Sequence, residues 1–214
     1  MTARLLSDDA LGRAAAVATL RSGGLVAVPT DTVYGLGVAL GAPDGLRRLF
    51  AAKDRPLDRA VVLLVADIEQ AASVGILSAA ARLLAERFWP GGLTLVLAQA
   101  GGAVLPATLT AGAATIGVRM PDHDCPRVLA RELGPLPVTS ANLSGRLDAR
   151  DAAGVLSQLG DRIDLVLDGG PARAGVPSTV VDCSVELPRV LRVGAIDPVT
   201  LARALQDGGL PHAL

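Results

Sequence analysis

The sequence predicts a single α/β domain built on a mixed sheet, and three observations point there. Half of the 214 residues are apolar but only 2% are aromatic, so the core is to be packed from Ala, Val, Leu and Ile rather than filled by rings. Helical and strand periodicities alternate through most of the chain. Near the C-terminus two apolar runs, 178–183 and 189–193, are separated only by a turn, which argues for an antiparallel pair and against a purely parallel sheet. A chain of this length buries roughly 70% of the surface its unfolded form exposes, enough for a cooperative core.

The elements follow in order. Leu11, Ala15, Ala18 and Leu20 mark a helix over 11–22 that stops at Gly23-Gly24. Residues 25–28 form a short buried strand running into Pro29-Thr30-Asp31-Thr32, where proline and small hydroxyls break regular structure at a strand end. In α/β proteins ligands bind at such ends. A helix over 46–52, an apolar strand over 60–65 and a helix over 78–88 come next, the last closed by Trp89-Pro90-Gly91-Gly92. Strands at 93–98 and 115–119, a helix at 127–133, a strand at 137–139, a helix at 152–159 and a strand at 163–167 precede the C-terminal pair. Pro198 opens a last helix, and the residues after Gln206 read as a frayed tail. With no internal repeat or long linker, the expectation is one domain over 1–214, with its core at about 12–195 and a C-terminal helix and tail at 196–214.

Composition excludes several function classes. A formal charge of −1 removes the basic excess by which dedicated nucleic-acid binders neutralise phosphates. Cys125 and Cys183 lie far apart and only two histidines occur, so neither a disulfide framework nor a protein-held metal site is signalled. No stretch approaches the ~18 apolar residues of a membrane span. The reading is a cytoplasmic protein.

One lysine, Lys53, stands among 20 basic residues. In a chain otherwise committed to arginine, the position invites a reason specific to a compact ammonium with three donors. It belongs to Lys53-Asp54-Arg55-Pro56, between a helix and a buried strand. On an extended connection both cations point the same way and face one phosphate chain; a solvated basic loop is the plainer alternative. In Pro137-Leu-Pro-Val-Thr-Ser-Ala-Asn-Leu-Ser-Gly145 a strand ends in hydroxyl and amide side chains, which suits a neutral phosphate or oxyanion cradle and equally an ordinary turn.

Together with Pro29-Thr-Asp-Thr-Val-Tyr-Gly-Leu-Gly37, Trp89-Pro-Gly91, Thr115-Ile-Gly-Val-Arg119, Pro177-Ser-Thr-Val-Val-Asp182 and Leu191-Arg-Val-Gly194, these segments occur in the order found in the YrdC/Sua5 family, which the chain resembles from about residue 12 to 195. The resemblance implies a twisted mixed sheet with helices on its faces and a large positive cavity. It also implies synthesis of L-threonylcarbamoyladenylate from L-threonine, bicarbonate and ATP with release of diphosphate. ATP enters as substrate, with Mg²⁺ held mainly through the nucleotide. The product would be handed to the machinery that threonylcarbamoylates adenosine 37 of tRNA, which makes tRNA a further expected partner. The chain looks like the short form that lacks an extra C-terminal domain.

Position by position, the resemblance assigns Lys53, Arg55, Thr115, Asn142 and Arg192 to ATP, with Lys53 and Arg55 the catalytic pair. Thr30, Thr32, Arg119, Ser140 and Ser178 are assigned to threonine, Arg119 meeting its carboxylate. Two segments depart from the family pattern: Asp58-Arg59-Ala60, where many relatives have Pro and some a preceding His, and Arg146-Leu-Asp-Ala-Arg150 in place of a Pro-Ser-Pro-Thr type of loop. In this scheme an N-carboxylate of threonine attacks the α-phosphorus of ATP, so two anions must meet and neutralisation is the main catalytic task.

Other features have plainer readings. Asp122-His123-Asp124 resembles an acid–base or metal cluster but stands where aspartates cap a helix. Tyr34 suits a stacking platform and a packing ring equally, and Trp89 reads as an anchor for its turn. Neither GxGxxG nor GxxxxGK[ST] is present. The competing functions are a non-catalytic module binding double-stranded RNA or tRNA, and a carbamoyl-transfer domain acting on carbamoyl phosphate. Near-neutral charge and only four aromatics, Tyr34, Phe50, Phe88 and Trp89, count against the first.

Overall fold

In the computed structural model, which describes residues 2–214, successive strands feed one continuous mixed sheet. The elements are β1 (Arg4–Ser7), α1 (Ala10–Arg21), β2 (Val26–Val28), β3 (Gly35–Gly37), α2 (Gly45–Ala52), β4 (Val62–Leu64), α3 (Ile68–Val74), β5 (Gly75–Ile76), α4 (Ala79–Phe88) and β6 (Leu93–Gln99). Then follow α5 (Ala107–Thr110), β7 (Thr115–Arg119), α6 (Asp124–Leu133), β8 (Leu136–Ser140), α7 (Ala152–Leu159), β9 (Leu165–Asp168), β10 (Thr179–Asp182), β11 (Arg189–Arg192) and α8 (Pro198–Asp207). The strand order is β1-β9-β2-β3-β8-β4-β7-β6-β10-β11, with β5 paired to β6. Parallel pairs, such as β4 with β7, are mixed with antiparallel ones, such as β3 with β8 and β10 with β11. The expected mixed sheet and its C-terminal antiparallel pair are therefore present. No helix among the described residues is long and apolar enough to cross a membrane.

Period-two alternation divides the apolar side chains between two cores. Val26 and Val28 of β2 and Leu165 and Leu167 of β9 pack with Ala16 and Leu20 of α1 and Leu129 of α6 on one face. Leu93, Leu95 and Leu97 of β6 and Ile116 and Val118 of β7 pack on the other, with Leu84 of α4 and Leu201 of α8. That assignment turns Thr94 of β6 and Arg119 of β7 back to the first face, beside Val62 and Leu64 of β4. The site is built there.

Several elements differ from the sequence reading. Strand β3 is Gly-Leu-Gly, a poor strand former by composition, yet it lies between β2 and β8. Its glycine is needed, because a Cβ on Gly35 would lie 2.5 Å from Val138 Cγ1. Strands β1 and β5 and helices α3 and α5 are present in addition to the elements expected from the sequence. Helix α6 starts at Asp124, three residues before the expected boundary. The tail after Gln206 is not frayed: Ala213 N–H donates to Pro188 O at 2.8 Å, and Leu210 and Leu214 pack against the core.

Candidate active site

A cavity of about 210 Å³ opens on the face carrying Thr94 and Arg119, floored by Val62, Leu64 and Val138. Three arginines, Arg55, Arg119 and Arg192, line it with one carboxylate, Asp148. Small hydroxyls from Thr30, Thr32, Thr94, Ser140 and Ser178 complete the polar wall. An arginine-rich concavity with few acids suits an anionic ligand.

Arg119 ends β7 and is 6% exposed. Its Nε donates to Gly91 O at 2.9 Å, Nη1 to Thr32 Oγ1 at 2.7 Å and Nη2 to Asp31 Oδ1 at 2.5 Å. Burial pushes the guanidinium below its usual value, and Asp31 beside it pulls the other way. The loop that supplies Asp31 is pinned by Thr30, whose hydroxyl donates to Val33 O at 2.7 Å and accepts from Thr32 N–H at 3.1 Å. Across the cavity, Ser178 O accepts from Arg192 Nε and Nη2 at 3.1 and 2.9 Å. Ser178 Oγ lies 3.2 Å from Arg192 Nη2 and 2.8 Å from Thr94 Oγ1. Ser178, mainly through its backbone carbonyl, thus fixes the second arginine.

Lys53 occupies a different place from the one the extended-chain argument gave it. It is the C-cap of α2 with helical backbone angles, and Asp54 adopts left-handed φ of 51°. The segment is a turn, so the alternation expected to aim Lys53 and Arg55 at one phosphate chain does not hold. The ammonium is buried, donates to the backbone carbonyls of Ser140 and Asn142, and lies 3.4 Å from Asn142 Oδ1. Burial, and secondarily Arg55, pushes its pKa from 10.5 down to about 8. Lys53 binds the turn that presents Ser140, while Arg55 faces the cavity. Arg55 Nη2 donates to Ala60 O at 2.8 Å, its guanidinium lies 5.8 Å from the Phe50 ring centroid, and its buried Nε has no partner among the described residues.

Of the ten residues singled out in the sequence, Thr30, Thr32, Arg55, Arg119, Ser140, Ser178 and Arg192 line the cavity. Lys53 and Asn142 stand behind its wall; Asn142 Oδ1 accepts from Ser140 Oγ at 2.5 Å and its Nδ2 holds Arg146 O at 2.8 Å. Thr115 shares the face of Arg119 but begins β7, roughly 13 Å away at the rise of a strand, and does not line the cavity. Residues missed in the sequence are Asp31, Thr94 and Asp148. Asp31 had a local signal, standing between two singled-out threonines; Thr94, inside an apolar strand, is the polar exception in a buried run.

The plainer features resolve as well. His123, not an aspartate, caps α6, its Nδ1 accepting from Cys125 N–H at 3.2 Å, while Asp124 lies in the first turn. Asp122 instead pairs with Arg173 at 2.7 Å. Tyr34 is a packing ring, fully buried, whose hydroxyl donates to Gly170 O at 2.8 Å and accepts from Gly169 N–H at 3.1 Å. Trp89 anchors its turn through Nε1 to Leu93 O at 2.7 Å.

Comparison with known proteins gives the family. A Sua5/YciO/YrdC family model, described as "Telomere recombination", matches residues 18–194. A threonylcarbamoyl-AMP synthase of Bacillus subtilis is 43% identical over 192 residues, covering 89% of this chain and 55% of that protein. A putative threonylcarbamoyl-AMP synthase of Mycobacterium tuberculosis is 39% identical over 195 residues, 91% of this chain and 89% of that one. Pyrococcus abyssi Sua5, solved in complex with L-threonine, superposes with a TM-score of 0.90 at 33% identity, covering all of this chain and 63% of that one. The chain thus spans little more than half the length of the B. subtilis relative. From the family match over most of its length and the shared fold, the chain belongs to the Sua5/YciO/YrdC family.

Proposed function

We propose that the protein makes threonylcarbamoyl-AMP from L-threonine, bicarbonate and ATP, acting as a nucleotidyltransferase. The observation that carries the reading is the pairing of two fixed arginines in one cavity, Arg119 near Thr30 and Thr32 and Arg192 at Ser178. One is suited to an amino-acid carboxylate and the other to phosphate oxygens. The names of the relatives and the threonine complex of the P. abyssi protein support it, and they do not favour a non-catalytic RNA-binding module.

In this reading the neutral amine of threonine condenses with bicarbonate, directly or through the carbon dioxide it releases, with net loss of water to give an N-carboxylate. One of its oxygens attacks the α-phosphorus and diphosphate leaves in line. Arg119 holds the amino-acid carboxylate, with Ser178 and the Thr30/Thr32 loop shaping the pocket. Arg55 and Arg192 stabilise the charge that gathers on the phosphates, the main task where two anions meet. Lys53 and Asn142 act from behind, keeping Ser140 in place. Among the lining residues Asp148 is the single carboxylate, a donor set that fits Mg²⁺ arriving on the triphosphate and keeping its water and phosphate ligands; bound there, the ion supplies charge neutralisation. Delivery of the adenylate to the tRNA-modifying machinery, direct tRNA contact and a cytoplasmic location complete the proposal. Diphosphate release from ATP, measured with and without threonine and bicarbonate, tests it: release must require both, and release indifferent to either refutes the reading.

A further inference from the structure

Asp31 is the acid paired with Arg119, although it does not itself line the cavity. Its carboxylate is nearly buried. Oδ1 takes Nη2 of Arg119 at 2.5 Å and the N–H of Asp122 at 3.2 Å, while its backbone carbonyl takes Ala174 N–H at 2.9 Å. Both neighbours are tied together, since Arg173 Nη2 grips the Asp122 carboxylate at 2.7 Å and also its backbone carbonyl. Asp31 is therefore held from two sides by backbone and cannot swing with the arginine. Of the five N–H donors of a guanidinium, Arg119 commits three, to Gly91 O, Thr32 Oγ1 and Asp31 Oδ1. The two that remain sit on Nη1 and Nη2, the pair a carboxylate takes in a bidentate fork. We infer that Asp31 is a positioning residue: by locking one edge of Arg119 it leaves a pre-oriented two-donor fork for the carboxylate of an α-amino acid substrate. The inference rests on the proposal that Arg119 receives that carboxylate.

The lock is observable without turnover. In guanidinium-detected NMR of the intact protein, with the Arg119 signal assigned by its loss in Arg119→Lys, the two Nη nitrogens should give separate resonances because rotation about Nε–Cζ is slowed. Asp31→Asn should merge them and weaken L-threonine binding, measured by calorimetry, about tenfold, the worth of about one hydrogen bond. The same substitution in an Arg119→Lys background should change threonine affinity no further. Averaged Nη signals in the wild type overturn the inference even if Asp31→Asn fails to fold. So does an undiminished Asp31→Asn effect in the Arg119→Lys background, which would make Asp31 a direct ligand. Wild-type threonine affinity in Arg119→Lys instead brings down the assignment of the carboxylate to Arg119, and with it the substrate half of the inference.

Discussion

Replacing Lys53 with methionine removes an ammonium while keeping most of the side-chain volume, and the structure sets two opposing terms for the fold. In the native state burial holds the Lys53 pKa at about 8 against 10.5, which amounts to ~3 kcal/mol against the charged form. Methionine removes that cost. It also strips the carbonyls of Ser140 and Asn142 of their donor, at about 1–3 kcal/mol for each buried acceptor left unpaired. The terms nearly cancel, so the melting temperature should move by only a few degrees. Function should not be spared, because the turn holding Ser140 in the cavity wall loses its tie. Threonine-dependent diphosphate release is expected to fall about 10²-fold, the usual loss on disturbing a pre-organised donor set. The pH dependence adds a second signature. The folded pKa lies below the unfolded one, so between pH 8 and 10.5 the unfolded chain binds more protons and stability contributed by this group rises with pH. Activity that needs the ammonium falls over the same window. A folded Lys53→Met protein with wild-type turnover, or a wild type whose activity is flat through pH 8, would refute the reasoning.

Thr94→Val removes the hydroxyl 2.8 Å from Ser178 Oγ; a stability loss of ~1 kcal/mol and a raised KM for threonine are expected, checked by urea unfolding and steady-state kinetics. Asp148→Asn neutralises the one carboxylate lining the cavity and should tighten metal-free ATP binding roughly fivefold, about 1 kcal/mol, the worth of one charge screened as in water; weaker binding in calorimetry would mean that the carboxylate holds the nucleotide. His123→Ala loses the cap on Cys125 N–H and should cost ~1 kcal/mol at pH 8. Burial holds the His123 pKa below 6.5, so its contribution is present above that pH and is lost as the unfolded chain takes up its proton on acidification. The variant should therefore lose less stability than the wild type between pH 7 and 5.5.

The sequence showed the fold wherever side chains of one strand or helix obey their own period. Strands such as β6 and β7, with alternate residues committed to one core, carry that signal locally. Strand β3 does not, since Gly35 and Gly37 are chosen for what lies across the sheet: a Cβ at Gly35 would strike Val138, a residue a hundred positions away. The order of the tail is illegible for the same reason. Its anchor, Pro188 O, belongs to the turn before β11, and a hydrogen bond to a distant carbonyl leaves no trace in local composition.

The same distinction separates the legible and illegible parts of the site. Arg55 stands out beside the solitary lysine, whereas Arg119 and Arg192 are singled out by the resemblance, through the ordered segments that end in Arg119 and contain Arg192. Asp31 and Thr94 serve by holding other side chains, Arg119 and Ser178, and nothing near them in sequence names what they hold. Lys53 shows the converse error. The solitary lysine is conspicuous in the sequence, but its two donors to backbone carbonyls require a partner loop nearly ninety residues on, which the sequence motif could not aim. A compact ammonium suits that task better than a planar fork, since its three donors can turn toward carbonyls that are not coplanar. On that argument Lys53→Arg, which keeps the charge, should disturb the Ser140 turn nearly as much as Lys53→Met. A fully active Lys53→Arg protein would show instead that positive charge alone is what the position requires.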